Sequence, residues 1–164
     1  MGFNLDRAPR EIHHEIQPGV LVIDGQDCPI MAVFRTIPTN RELDDFIVGF
    51  RTLGKKFEEN PDKRVMEDIQ KAAARVFVGW VNPEGREDLW VRKAGQPVEA
   101  TPETVEQFLE CTGVASVICR EFVEAMSSTG SAAAGNSKPS RGNGFVDRVK
   151  ALENSSAAPT TLAA

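Results

Sequence analysis

Three helix-start signals between residues 39 and 103 confine the middle of this chain to a mainly helical architecture. Thr39-Asn40-Arg41-Glu42 has the capping-box form, in which a hydroxyl and a carboxylate satisfy the first free amides of a helix. Asn60-Pro61-Asp62 offers a capping side chain, a proline at the first helical position and an acid beside the positive end of the helix dipole. Thr101-Pro102-Glu103 opens a third helix in the same manner. An apolar stripe at helical spacing follows each signal. Leu43, Phe46, Ile47, Phe50, Leu53 and Phe57 form the first, and Val65, Ile69, Ala72, Ala73, Val76, Phe77 and Trp80 the second. Val105, Phe108 and Leu109 form the third, and beyond the break at Thr112-Gly113 a fourth runs through Val114, Val117, Ile118, Phe122, Ala125 and Met126. About four helices are therefore expected, the first two as an antiparallel pair. Gly49 and Gly54 each cost the first helix about 1 kcal/mol in propensity, which burial of its phenylalanines outweighs.

Ahead of the helices, Val20–Ile23 and Ile30–Arg35 are β-favouring runs around the turn-prone Asp24-Gly25-Gln26-Asp27, which reads as a hairpin with Pro29 at a strand start or an edge. Residues 1–19 mix charges with Pro9, Pro18 and Gly19 without a sustained period and read as a loosely ordered lead-in. Asn82-Pro83-Glu84-Gly85 through Ala94-Gly95-Gln96-Pro97 reads as a connecting loop with a short extended piece around Trp90. From Ser127 to Gly144 no aliphatic side chain exceeds Ala in size, so little apolar burial opposes chain entropy. The expected fold class is α+β, mainly α: an N-terminal β-hairpin followed by about four helices, with a disordered C-terminal tail. In domain terms, residues 20–127 form the hairpin plus helical domain and 128–164 a flexible tail. Within that tail, 145–153 has helical spacing but is too short to stand alone.

Residues 1–126 carry 15 Lys and Arg against 22 Asp and Glu, a net of −7, and 127–164 carry 4 against 2. An acidic body repels phosphate backbones, which argues against nucleic-acid binding. The longest apolar runs fall far short of the roughly 20 residues that a membrane-spanning helix needs. Cys28, Cys111 and Cys119 are odd in number and lack CxxC spacing, and no charged-then-apolar leader precedes them, so a reducing cytoplasm is the expected setting.

No cluster of chemistry-bearing residues emerges. His13 and His14 are adjacent and project in different directions, a poor metal pair, and read as surface histidines. Cys111 and Cys119 fall in apolar helices with no histidine in the C-terminal two thirds of the chain to act as base. Glu58-Glu59, Glu67-Asp68 and Glu87-Asp88 read as solvated pairs. Catalytic, cofactor and metal residues are therefore all expected to be absent. Trp80 and Trp90 flank the polar connection between the helical pairs and serve either as core anchors or as partner contacts. Phe57, Trp80, Trp90, Phe145 and Val149 are the candidate partner-binding residues.

Trp80-Val81 with Asn82-Pro83-Glu84-Gly85, then Gly95-Gln96-Pro97-Val98, then the capped Thr101–Leu109 segment, resembles the pattern of phage tail assembly chaperones of long-tailed bacteriophages. Gly113-Val114-Ala115, Ile118, Phe122 and Ala125, followed by a Gly/Ala/Ser tail, resemble that family's last helix and polar terminus. The likeness covers about 75–137 well and 20–74 in layout only. It implies a non-catalytic protein of the host cytoplasm, absent from the mature virion, that binds the tape measure protein and recruits tail tube subunits. Self-association is compatible with that role. The family often makes a longer frameshifted product, whose junction would fall after Ser127. Two competing classes are a structural tail completion or head-tail connector protein, and a small thiol or metal enzyme.

Overall fold

The computed structural model describes residues 9–133, with side chains through Ser128. Strand β1 (Glu11–Ile16) leads into a small hairpin, β2 (Val22–Ile23) and β3 (Gln26–Asp27), and then β4 (Ile30–Arg35). Asp24 and Gly25 both take positive φ, 52° and 76°, as a two-residue turn between right-twisted strands requires. Helix α1 (Asn40–Glu59) is capped by Thr39, whose hydroxyl oxygen accepts from the Glu42 amide at 3.3 Å. Glu42 does not reach back to a backbone amide but accepts the Thr39 hydroxyl proton at 2.8 Å. Helix α2 (Lys63–Val76) is capped by Asp62, while Asn60 ends α1.

After α2 come β5 (Phe77–Val81), a 3₁₀ turn at Glu87–Leu89, and a second small hairpin, β6 (Arg92–Lys93) and β7 (Gln96–Pro97). Helices α3 (Pro102–Glu110) and α4 (Val114–Ala133) complete the order. Helix α3 has a full capping box, with Thr101 and Thr104 each accepting from the other's amide at 2.8–3.2 Å.

The expected single N-terminal hairpin is corrected. Among the described residues, seven short strands form three small antiparallel sheets, and the strands are spread along the chain. The main sheet has the order β1-β4-β5. Residues 11–16, expected in a loose lead-in, pair with β4 along their whole length, and Val22–Ile23 folds back on Gln26–Asp27 instead of on Ile30–Arg35. The second stripe is corrected as well, because Phe77 and Trp80 lie on a strand. Val78 is skipped where β5 pairs with β4, so Phe77 faces Phe34 and Trp80 faces Ala32 on one side of the sheet. A β-bulge thus gives two strand residues the three-residue spacing of a helix. Helix α4 also runs past Ser127 to Ala133. Residues 134–164, and with them the short helix expected over 145–153, lie outside the described residues.

Within the described residues the chain divides into a unit ending at Phe122 and another beginning at Val123, with the boundary inside α4. The first unit buries one sheet face under helices. Phe122 sits edge-on to Phe34 at 5.7 Å and to Phe46 of α1 at 5.1 Å. Phe108 of α3 packs on Phe77 at 5.8 Å and on Trp80 at 5.2 Å. Each such ring pair adds about 0.5–1.5 kcal/mol to what its buried area contributes. Behind the sheet the 3₁₀ turn meets β4, Leu89 is fully buried, and Arg86 reaches Glu15 of β1 at 3.1 Å. In the short part of the second unit that is described, the Ser127 hydroxyl donates to the Val123 carbonyl at 2.9 Å. Among the described residues, no helix is long and apolar enough to cross a membrane.

Candidate functional site

Helix α2 turns two stripes in different directions. Ile69, Ala73 and Val76 go to the core, and Gln70 and Ala74, one position round, line a groove against β5 and α3. Val105 and Leu109, one turn apart on α3, face it from the other side, and Phe77 and Val78 form the base. The groove has a volume of about 720 Å³, within the range of pockets that enclose small ligands. Its rim is charged and exposed. Glu106 and Glu110 stand on the α3 side, while Arg35, Lys71 and Glu67 stand across from them.

The approach of α3 to β5 depends on a missing side chain. Gly79 sits at φ 147°, and a Cβ built there would lie 2.6 Å from the Cβ of Ala100 and 3.2 Å from a methyl of Val105. The segment leading into α3 is tied down at Val98, whose carbonyl accepts from the Trp80 indole at 2.8 Å and from the Asn82 amide at 3.0 Å. Asn82 also accepts from the Val91 amide at 3.0 Å, so one side chain holds both strands at the base of the β6–β7 hairpin. The groove wall is therefore built from strand residues, not from helix packing alone.

The candidate residues read from sequence fall elsewhere. Trp80 is 5% exposed and belongs to the core. Trp90 is half-buried, its indole donating to the Pro83 carbonyl at 2.7 Å while the Arg92 guanidinium covers its ring. Phe57 is half-buried near the end of α1. None of these three lines the groove, and Phe145 and Val149 lie outside the described residues. Of the α3 stripe expected from sequence, Leu109 is core, at 4% exposed, and half-buried Val105 lines the groove, whereas Gln70 and Ala74 belong to no expected stripe. The available signal was the Gln70/Ala74 spacing beside the core stripe, which widens the weakly polar face of α2.

The surface-histidine reading holds for His13 and is corrected for His14. The inward-facing residues of β1 alternate, which carries His14 to Glu121, with Nε2 and Oε2 2.8 Å apart. Glu121 is 8% exposed, the one buried charged side chain among the described residues. Burial pushes the Cys119 thiol up to about 12, and desolvation, then Asp27 and Cys111, raise the Cys28 thiol as well. Both thiols are thereby held protonated. Asp88 is held below its usual range, chiefly by its hydrogen bond from Arg86. Among the described residues no group of three His, Cys, Asp or Glu side chains is placed to hold a metal ion. What the groove can do chemically is bind, by apolar contact in its base and ion pairing of either sign at its rim. Compared with known proteins, the chain matches no family model, no curated protein and no solved structure.

Proposed function

We propose that the protein is a non-catalytic tail assembly chaperone of a long-tailed phage, taking an amphipathic helical segment of the tape measure protein into the groove between α2 and α3. The observation that carries this reading is the groove's division into an apolar interior, with Ala74, Val78 and Val105, and a rim bearing both signs of charge. A docked helix uses apolar anchors one turn apart and charged flanks, and such an interior and rim match both. Acidic Glu106 and Glu110 would face basic residues of the client, and Lys71 and Arg35 its acids. In this role the protein acts in the host cytoplasm, recruits tail tube subunits and is absent from the finished virion.

Co-expression with the tape measure protein is the test. The chaperone raises the client's soluble yield and co-purifies with it, and Val105→Asp, which places a carboxylate on the apolar α3 wall of the groove, removes both effects while the variant stays folded. Unchanged yield with no co-purification counts against the chaperone reading; retention of both effects by the variant counts against the groove. Stoichiometric presence of the protein in purified virions would instead mark it as a structural tail completion or connector component.

A further inference from the structure

Helix α1 buries Leu43 and Phe46 on its inner side and leaves a continuous line of exposed residues on the outer one. Along that line run Arg41, Asp45, Val48, Thr52, Lys55 and Glu59, spaced three or four apart. Val48 is 63% exposed, the most exposed of the three exposed large apolar side chains among the described residues. The Thr52 hydroxyl donates to the Val48 carbonyl at 2.8 Å. Its donor is committed within the helix, and another helix can cover it without stranding a polar proton.

The order of charges along the line is plus, minus, apolar, small, plus, minus. Read backwards, the signs are inverted, so the line is complementary to an antiparallel copy of itself. Arg41 would meet Glu59 of a second copy, Asp45 would meet Lys55, and Val48 would meet Thr52, each contact occurring twice about a two-fold axis near Phe50. A parallel arrangement in register would set like charges face to face. The pattern therefore selects both orientation and register.

We infer that the outer face of α1 is a self-association surface, on which a second copy of the chain docks its own α1 antiparallel. From Arg41 to Glu59 the helix spans roughly 27 Å at about 1.5 Å per residue, and a single helix-on-helix contact of that length covers less than the roughly 800 Å² per partner of a standard stable interface. The dimer is accordingly weak and leans on its ion pairs. Salt weakens it, because the screening length shrinks from about 10 Å at 0.1 M to about 3 Å at 1 M. This surface is separate from the α2–α3 groove, and the inference does not depend on what the groove binds.

Sedimentation of the full chain from micromolar to millimolar concentration, at low and at high salt, tests it. The wild-type protein passes from monomer to dimer at low salt, and high salt weakens the association. Asp45→Lys and Lys55→Asp each weaken it by about tenfold or more, since each sets two like-charge contacts across the axis. An equimolar mixture of the two variants recovers dimers, because every contact between them is again of opposite sign, and the double variant D45K/K55D recovers them alone. Thermal melts establish that each variant is folded. Should one of them not fold, Arg41→Glu mixed with Glu59→Arg repeats the design at the ends of the line. A wild-type protein that stays monomeric throughout overturns the inference, as does a dimer indifferent to the single reversals or a mixture that fails to recover.

Discussion

Gly79→Ala puts the packing of α3 on β5 to a direct test. A new Cβ would stand 2.6 Å from the Cβ of Ala100, where carbon atoms in contact sit about 3.5–4.0 Å apart, so one of the two must move by about 1 Å. Ala100 has little freedom to retreat. Two residues earlier the Val98 carbonyl is held by Trp80 and Asn82, and one residue earlier the Glu99 carbonyl accepts from the Thr104 hydroxyl at 2.9 Å. Overpacking of this kind costs about 1–3 kcal/mol. The backbone adds its own term, since φ of 147° lies where only glycine is comfortable, at about 1–3 kcal/mol for another residue.

The sum is about 4 kcal/mol, a large part of the roughly 5–15 kcal/mol that holds a typical domain together. For a folded region of this size it lowers the melting temperature by roughly 10–20 °C. Urea unfolding with an unchanged m-value is the cleaner assay, because a shift in midpoint alone then reports stability. Gly54→Ala is the control: a Cβ there meets nothing within 4 Å, and the helix gains about 0.5–1 kcal/mol. A loss below about 1 kcal/mol for Gly79→Ala would refute the close approach of α3 to β5.

Three further outcomes follow from the same geometry. A double-mutant cycle on His14→Ala and Glu121→Ala gives a coupling of about 2 kcal/mol in unfolding free energy, as for a charge-assisted, largely buried hydrogen bond; a coupling near zero would mean the pair is not formed. Because the Cys119 thiol rises from 9.0 to about 12 on folding, the native protein holds that proton more tightly and stability falls as pH climbs through this window; Cys119→Ala flattens the decline, and an unchanged slope contradicts it. Deleting Val78 leaves Phe77, Gly79 and Trp80 in a regular ladder with β4 and is tolerated, whereas deleting Gly79 brings Val78 against Ala100 and is not; circular dichroism and melting of the two deletions decide the matter.

The sequence showed local features well and non-local ones poorly. Capping chemistry at Thr39 and Thr101 is written in neighbouring residues, and both residues cap helices in the structure. A strand such as Glu11–Ile16 depends on its partner. With His13, His14 and Glu15 in it, the segment has little β propensity, and its pairing with β4 becomes favourable only once Ile12, His14 and Ile16 face the core. The two-residue hairpins are a middle case. Asp24-Gly25 specifies the turn, but Val20–Ile23 has the composition of a full strand and only two of its residues pair, so the flanking runs are not set locally.

The bulge at Val78 explains why the groove stayed hidden. Regular alternation along β5 would have put Phe77 and Trp80 on opposite faces, and no helix-like stripe would have arisen. With Val78 skipped, both rings reach the Phe34 side, and the extra residue is left to line the groove that Ala74 and Val105 also face. One irregularity thus feeds the core and the candidate site together. A hydrophobicity period cannot separate a bulged strand from one more turn of helix, since both repeat at three residues here. Gly79 is what tells them apart: in a helix it would be only a weak point, but beside a bulge it is where a second backbone comes close, and Ala100 does so.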